Sequence, residues 1–390
     1  MSLALNTDSL TLRKRKVIIA GICALILTVG IARFAYTPFL PLMLEQAGLS
    51  TLAGGWLATF NYVGYLFGIL LIAWLSDLQL KFRLYRLNLM LAVLSTIGMG
   101  LTSNVLAWSV LRLVAGMSST AGIILAAGFV MTWLKRHHFT GNLGLHFSGL
   151  GLGIALPGMA IALIGDQLDW AMQWIVMGLF GVIFFIPAWR WMPAPASQPH
   201  DDTTFEPAPS RRWMNLMIAA YFCAGVGYVI SATFIVAILE NMPALAEWGN
   251  WIWVVLGLTA VPSCVVWDKM AERFGEASAL LLSYSILLLS ILIPAISHNL
   301  VLNVIGAMLF GGTFAGIVSL MLVFIGHQFP HNPARAMAKL TISYGIAQIT
   351  APALAGHIST LTGSYLGALW LAILCMPIGI LCLWCIRRTG

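Results

Sequence analysis

Two arginines stand where arginine is costly: Arg33 and Arg112 each lie within a long apolar stretch of the chain. At the centre of a spanning helix an arginine costs about 2.5–3.5 kcal/mol on insertion scales, so it normally faces a watery cavity or a partner. No Asp or Glu lies in the interior of any of the predicted helices to pair with them. A guanidinium without an acidic partner can hold a solute by charge-assisted hydrogen bonds. It can equally bond helix-end carbonyls, or snorkel toward the outer interface. His146 is the titrating group expected near such a cavity, because arginine does not release its proton and histidine titrates near neutrality. A bonded packing histidine is the competing reading.

The remaining candidates for solute contact are uncharged. Tyr36 and Asn61 lie in the first half of the chain, and Tyr228, Thr233, Thr313, Tyr344 and Gln348 in the second. Tyr344 and Gln348 are four apart and share a helix face. Two guanidiniums on one wall, with hydroxyls, an amide and aromatic rings on the other, suit an amphipathic solute with hydroxyl, carboxyl or other acceptor groups.

These residues need a scaffold that lipid tolerates. Of the 390 residues 60% are hydrophobic and 8% charged, and the mean hydropathy is +0.92. Hydrocarbon satisfies no backbone N–H or C=O, so only helices or closed barrels span it, and long unbroken apolar runs select helices. Windows of about 20 residues predict twelve passes, at 17–44, 52–75, 84–103, 106–134, 141–165, 171–192, 213–239, 250–267, 277–297, 300–329, 336–358 and 365–386. No cleavage site follows the first run, so it is read as mature helix. The six cysteines fall in apolar runs, where thiols behave as small hydrophobes. Cys382 and Cys385 have no His or carboxylate nearby, and neither a metal site nor a cofactor is expected.

The net charge of +7 is placed for topology and not for nucleic acid. Arg13, Lys14, Arg15, Lys16, Lys81, Arg83, Arg86, Lys135, Arg136, Arg190, Arg211, Arg212, Lys269, Arg273, Arg335, Lys339, Arg387 and Arg388 all fall on one side of the map. The opposite loops hold only Glu45, Asp166, Asp169, Glu240 and Glu247. The positive-inside rule then places both termini in the cytoplasm of a bacterial inner membrane. Trp248, Trp251 and Trp253 fit an interfacial aromatic belt.

A polar, proline-rich stretch, residues 193–212, divides a six-helix bundle at 1–192 from another at 213–390. The two are related in sequence. Pro157 and Pro352, Ser148 and Ser343, and Asp77 and Glu272 are each 195 apart; Ala121-Gly122 precede Ala315-Gly316 by 194, and Thr37 precedes Thr233 by 196. This register implies a duplicated unit with a solute site between the copies. In the same register Arg33 meets Val229 and Arg112 meets Gly306, so the cationic chemistry belongs to the first copy alone.

Several segments resemble the major facilitator superfamily. Asp77, Lys81 and Arg83 after the second pass are similar to its acidic and basic loop, with Ala73 where the family has glycine, and Glu272-Arg273-Phe274-Gly275 is the second copy. Leu111-Arg112-Leu-Val-Ala-Gly116 resembles its R-x-x-x-G element, and Gly149, Gly151, Gly153, Pro157 and Gly158 its glycine-proline motif. More narrowly, residues 30–41, 310–314 and 339–348 resemble the YbfB/YjiJ branch, which is related to sugar and drug exporters. The resemblance implies an all-α membrane protein of two pseudo-symmetric six-helix bundles that works as a secondary transporter. Asp77, Lys81, Arg83, Gly153, Pro157, Glu272 and Arg273 would then gate its conformations.

The leading expectation is export of a small sugar-like or drug-like compound by a monomer, with protons as a coupling ion. Uptake of a carboxylated metabolite is the runner-up, and a non-transporting sensor a distant third. An intramembrane enzyme is not expected: the chain has no H-E-x-x-H, no paired intramembrane carboxylates and no G-x-S-x-G.

Overall fold

The computed structural model describes residues 2–139, 143–195, 211–328 and 333–389, without the side chains of 2–9, 166, 333–336, 338 and 389. Most of the expected linker, residues 196–210, lies outside them.

Twelve helical passes follow one another in the expected order. Pass 1 comprises Ser2–Leu25, a π-helical stretch Ile26–Phe34, and Tyr36–Gln46. Passes 2 and 3 are Thr51–Trp74 and Leu78–Met99. Pass 4 comprises Val105–Thr120, a second π-helical stretch Ala121–Ala126, and Ala127–Arg136. Gly144–Ile164, Trp170–Trp191 and Arg211–Glu240 are passes 5 to 7. Pass 8 is Gly249–Ala260 with Ser263–Phe274, bent by 46° where Pro262 interrupts it. Glu276–Ile296, Leu300–Gln328, Pro333–Thr362 and Leu366–Thr389 complete the set. Among the described residues nine of these helices are long and apolar enough to cross a bilayer, and the bent pair makes ten. Leu78–Met99, with Lys81, Arg83 and Arg86 in its first turns, and Pro333–Thr362 bring the order to twelve.

Local chemistry sets several boundaries. The side chains of Ser50, Asp77, Asn104 and Asp169 each accept a backbone N–H of the helix they precede, satisfying donors that a helix start leaves open. Because lipid replaces water outside, the usual pattern is inverted. Trp74, Leu94, Leu106, Leu163 and Leu374 face outward, while Thr28, Asn61, Asn88, Ser118 and Thr120 are buried.

The two bundles meet through two matching pairs. Pass 2 packs on pass 11 and pass 5 on pass 8. Under the 195-residue register pass 2 becomes pass 8 and pass 11 becomes pass 5, so each contact is the image of the other. Small residues allow both approaches: a Cβ on Gly55 would lie 2.5 Å from the Pro352 carbonyl oxygen, and one on Gly257 would collide with the backbone of Ala155.

Candidate functional site

A cavity of about 530 Å³ lies between the bundles, within the range of small-molecule sites. Its wall is drawn from passes 1, 2, 4 and 5 and from their register partners 7, 8, 10 and 11. Leu25, Ile69, Phe147, Cys264, Val323 and Thr341 place it in the half nearer the chain termini, called here the terminal side. Its deep end is Arg33 and Phe34.

Beyond that end the bundles are tied together. Thr37 donates to the Ala232 carbonyl at 2.5 Å, Thr59 to Ile349 at 2.9 Å and Tyr365 to Thr51 at 2.8 Å, each across the bundle interface. Phe234 stacks on Tyr365 with ring centroids 4.2 Å apart. The molecule is closed on the far side and hollow on the terminal side.

The structure separates the two arginines. Arg33 lines the cavity at 5% exposure, and its guanidinium sits 4.5 Å over the rings of both Tyr62 and Tyr65. Its Nε finds no acceptor. Arg112, 3% exposed, is absent from the cavity wall. It donates from Nη1 to the Ala32 carbonyl at 3.0 Å and from Nη2 to the Arg33 carbonyl at 3.3 Å, and it lies 4.4 Å over the Tyr36 ring. The reason lies in pass 1. A π-helical register there gives way to an α-helical one, with Ala35 N–H bonded to Gly30 five residues back, and Pro38 has no N–H to return. Carbonyls at that junction accept from outside the helix, and Arg112 is their donor.

The other candidates divide in the same way. Tyr228, Tyr344 and Gln348 line the cavity with Arg33, and the Gln348 Oε1 is buried without a partner. Tyr36, Asn61, Arg112 and Thr233, with Arg33 bordering both spaces, surround a separate void of about 10 Å³, room for one water at most. There Tyr36 donates to the Gly54 carbonyl at 2.8 Å and Asn61 to the Arg112 carbonyl at 2.9 Å. Thr313 bonds its own helix at Leu309 and Phe310. His146 is buried among passes 1, 4 and 5, with Nε2 3.3 Å from the Gly122 carbonyl and Nδ1 unpartnered beside Gly21.

Of the gating candidates, Asp77 is exposed and caps pass 3 through Gln79 N–H at 2.8 Å. Among the described residues no ion pair joins it to Lys81 or Arg83. Glu272 and Arg273 are exposed at the end of pass 8. Gly153 lies against Gly30 so closely that a Cβ on Gly30 would overlap its backbone, and Pro157 is buried farther along the same helix. Among the described residues no cluster of His, Cys, Asp and Glu is arranged to hold a metal ion.

Sequence reasoning passed over Tyr62, Tyr65, Tyr221 and Phe314. Spacing held a partial signal: Tyr221 and Tyr228 are seven apart on one face of pass 7, and Tyr62 and Tyr65 three apart on pass 2. Aromatics at helical spacing also describe ordinary packing, so only the cavity, and for Tyr62 the Arg33 guanidinium over its ring, distinguishes them.

A two-bundle helical protein with a site between its register-related halves has the architecture of a facilitator, and residues 25–383 match the family model described as the uncharacterised MFS-type transporter YbfB. The chain belongs to that family. As a member of the major facilitator superfamily it is a membrane transporter. Its fold is similar to that of the nucleoside transporter NupG, with a TM-score of 0.72 and 13% identity over 96% of this chain and 98% of that one. A mutant form of NupG gives a TM-score of 0.75 at 13% identity, over 96% of this chain and 99% of that one. A bacterial homologue of the human lysosomal transporter Spinster, in an inward-facing and unoccupied conformation, gives 0.68 at 15% identity over 97% of each chain. At these identities the likeness concerns the fold alone.

Proposed function

We propose that this facilitator is a monomeric secondary active transporter of the bacterial inner membrane, and that its solute binds in the cavity ending at Arg33. The bundles 1–192 and 213–390, joined by residues 193–212, rock about passes 2, 5, 8 and 11 and expose the site to each side in turn. The observation that carries this reading is a buried guanidinium at the closed end of a chamber built equally by both bundles. Lys and Arg flank the terminal-side helix ends, which supports cytoplasmic termini and hence a cavity facing the cytoplasm. That is the loading state of an exporter of small amphipathic compounds, sugar-like or drug-like.

Uptake of a carboxylated metabolite is the second reading, favoured by the absence, among the described residues, of any Asp or Glu from the cavity wall beside Arg33. For coupling, a proton is the natural ion. Glu240 at the end of pass 7 packs under Gly249 within the field of Glu45 at the end of pass 1. The two glutamates are 195 apart, in the register of the duplication. Asp77, Lys81, Arg83, Glu272 and Arg273, among which the described residues show no ion pair, are suited to pairing when the terminal side closes.

The experiment is solute-driven thermal stabilisation of the purified protein, followed by transport in proteoliposomes. Val323→Trp, which fills the cavity from its terminal-side wall, should abolish both. Full transport by that variant would remove the cavity as the site.

A further inference from the structure

The two walls of the cavity differ in kind. On the second bundle Tyr221, Tyr228, Phe314 and Tyr344 form one ladder of nearly parallel rings. Tyr221 and Tyr344 stack at 4.4 Å with planes 26° apart, Tyr228 and Tyr344 at 6.0 Å and 20°, and Tyr228 and Phe314 at 5.4 Å and 17°. All four rings reach the cavity surface. Four stacked rings contributed by passes 7, 10 and 11 make one aromatic wall, against which a planar π-system packs in offset or edge-to-face geometries that a puckered ring does not share.

Across from this face the first bundle offers one cation. Arg33 is nineteen-twentieths buried, its Nε has no acceptor, and its nearest neighbours are the neutral rings of Tyr62 and Tyr65. Those rings favour keeping the charge in place but do not neutralise it. Among the described residues no carboxylate lies on the cavity wall. The planar, two-donor geometry of a guanidinium matches a carboxylate. Gln348, four residues from Tyr344, adds an amide whose Oε1 is buried without a donor, so a solute that also carries a hydroxyl or N–H satisfies it.

We propose that the solute is a planar aromatic carboxylate, its ring packed against the ladder of Tyr228, Tyr344 and Phe314 and its carboxylate held by Arg33. This rests on the cavity being the transport site. It narrows that reading to one chemical class and disfavours lipophilic cations, which Arg33 repels. It also disfavours sugars, whose puckered rings carry many hydroxyls onto a mostly apolar wall.

The test is a thermal-shift titration of the full-length detergent-purified protein with indole-3-carboxylate, cyclohexanecarboxylate, glucose, uridine and tetraphenylphosphonium. Stabilisation that rises with concentration is expected for indole-3-carboxylate. Cyclohexanecarboxylate should bind roughly 2- to 10-fold more weakly, the worth of one aromatic pair. Arg33→Ala should weaken indole-3-carboxylate roughly 10- to 100-fold, the worth of a charged hydrogen-bonding partner. Tyr228→Leu should weaken the aromatic acid more than the alicyclic one and so erase the preference between them. That selective loss separates ring recognition from general damage to the fold. Equal shifts from the two acids, no shift from indole-3-carboxylate, or a larger shift from glucose, uridine or the cation each overturn the proposal. In the last case Val323→Trp tells the two readings apart. If it abolishes that shift, the cavity remains the site and only the chemical class falls; if the shift persists, the cavity reading falls with it.

Discussion

Arg112 donates its Nη2 to the backbone carbonyl of Arg33 at 3.3 Å, so one buried cation of the first bundle holds the backbone that carries the other. With the bond to the Ala32 carbonyl at 3.0 Å, this fastens pass 4 to the π-helical stretch of pass 1 at the depth where the cavity ends. The arginines therefore have different work, and their replacement should have different consequences.

Arg112→Ala removes two side-chain hydrogen bonds to buried carbonyls, charged donors worth about 1.5–3 kcal/mol each. The variant should lose thermal stability and, as pass 1 relaxes, transport as well. Arg112→Lys should recover part of the stability and little of the function, because one ammonium does not reproduce the two-point geometry. Arg33→Ala should remain folded with near wild-type melting while solute binding weakens. Thermal denaturation followed by tryptophan fluorescence, alongside binding, separates the two; matching stability losses in both variants would contradict the division.

Gly30 is expected to be intolerant. A methyl there overlaps the backbone of Gly153, so Gly30→Ala must part passes 1 and 5, an overpacking cost of about 1–3 kcal/mol. Gly128, in pass 4, has no heavy atom within 4 Å of where its Cβ would stand, and Gly128→Ala should be neutral or stabilising by up to about 1 kcal/mol from helix propensity. Yield of monodisperse protein and its melting temperature check the contrast.

The far-side closure should be weakened by Tyr365→Phe, which deletes the hydroxyl bonded to Thr51. A net loss of about 0.5–1.5 kcal/mol shifts the balance toward the opposite-facing state roughly 2- to 10-fold. An Ala58→Cys probe should then react faster with an impermeant thiol reagent added from the far side, since Ala58 borders the small void beneath that closure.

Asp77→Asn should act at the other end. In the present conformation Asp77 caps pass 3 and forms no ion pair with Lys81 or Arg83, so its replacement should leave insertion and melting unchanged. If the charge is needed when the terminal side closes, turnover should slow while solute affinity stays constant. Comparison of transport rate with binding by the same preparation checks it.

Glu240→Gln should flatten the pH dependence of transport. Burial and the neighbouring Glu45 charge both favour the protonated form of Glu240, and a proton there relieves the repulsion that opposes far-side closure. Acid should therefore favour the conformation described here in the wild type and have less effect in the variant, as read from the reactivity of Ala58→Cys between pH 5 and 8.

The amino-acid order alone determined the passes, because lipid demands some twenty apolar residues in helical form whatever the neighbours are. Each expected span overlaps an observed helix, and the starts that moved did so for local reasons, as where Asp77 caps pass 3 seven residues before its apolar run. The duplication was legible too, since proline, glycine and charged positions keep their register when two copies keep one fold. The cost of Arg33 and Arg112 could be read from their apolar surroundings, and Arg33, Tyr228, Tyr344 and Gln348 are brought to one cavity. Which arginine faces that cavity was decided by tertiary structure, because the partner of Arg112 is a pair of backbone carbonyls. Every residue carries a carbonyl, and nothing in the letters marks those at Ala32 and Arg33 as the acceptors until pass 1 takes its π-helical register and meets pass 4. The aromatic wall was hidden for a similar reason: Tyr221, Tyr228, Phe314 and Tyr344 lie on three helices, and only their packing makes four separate rings one surface.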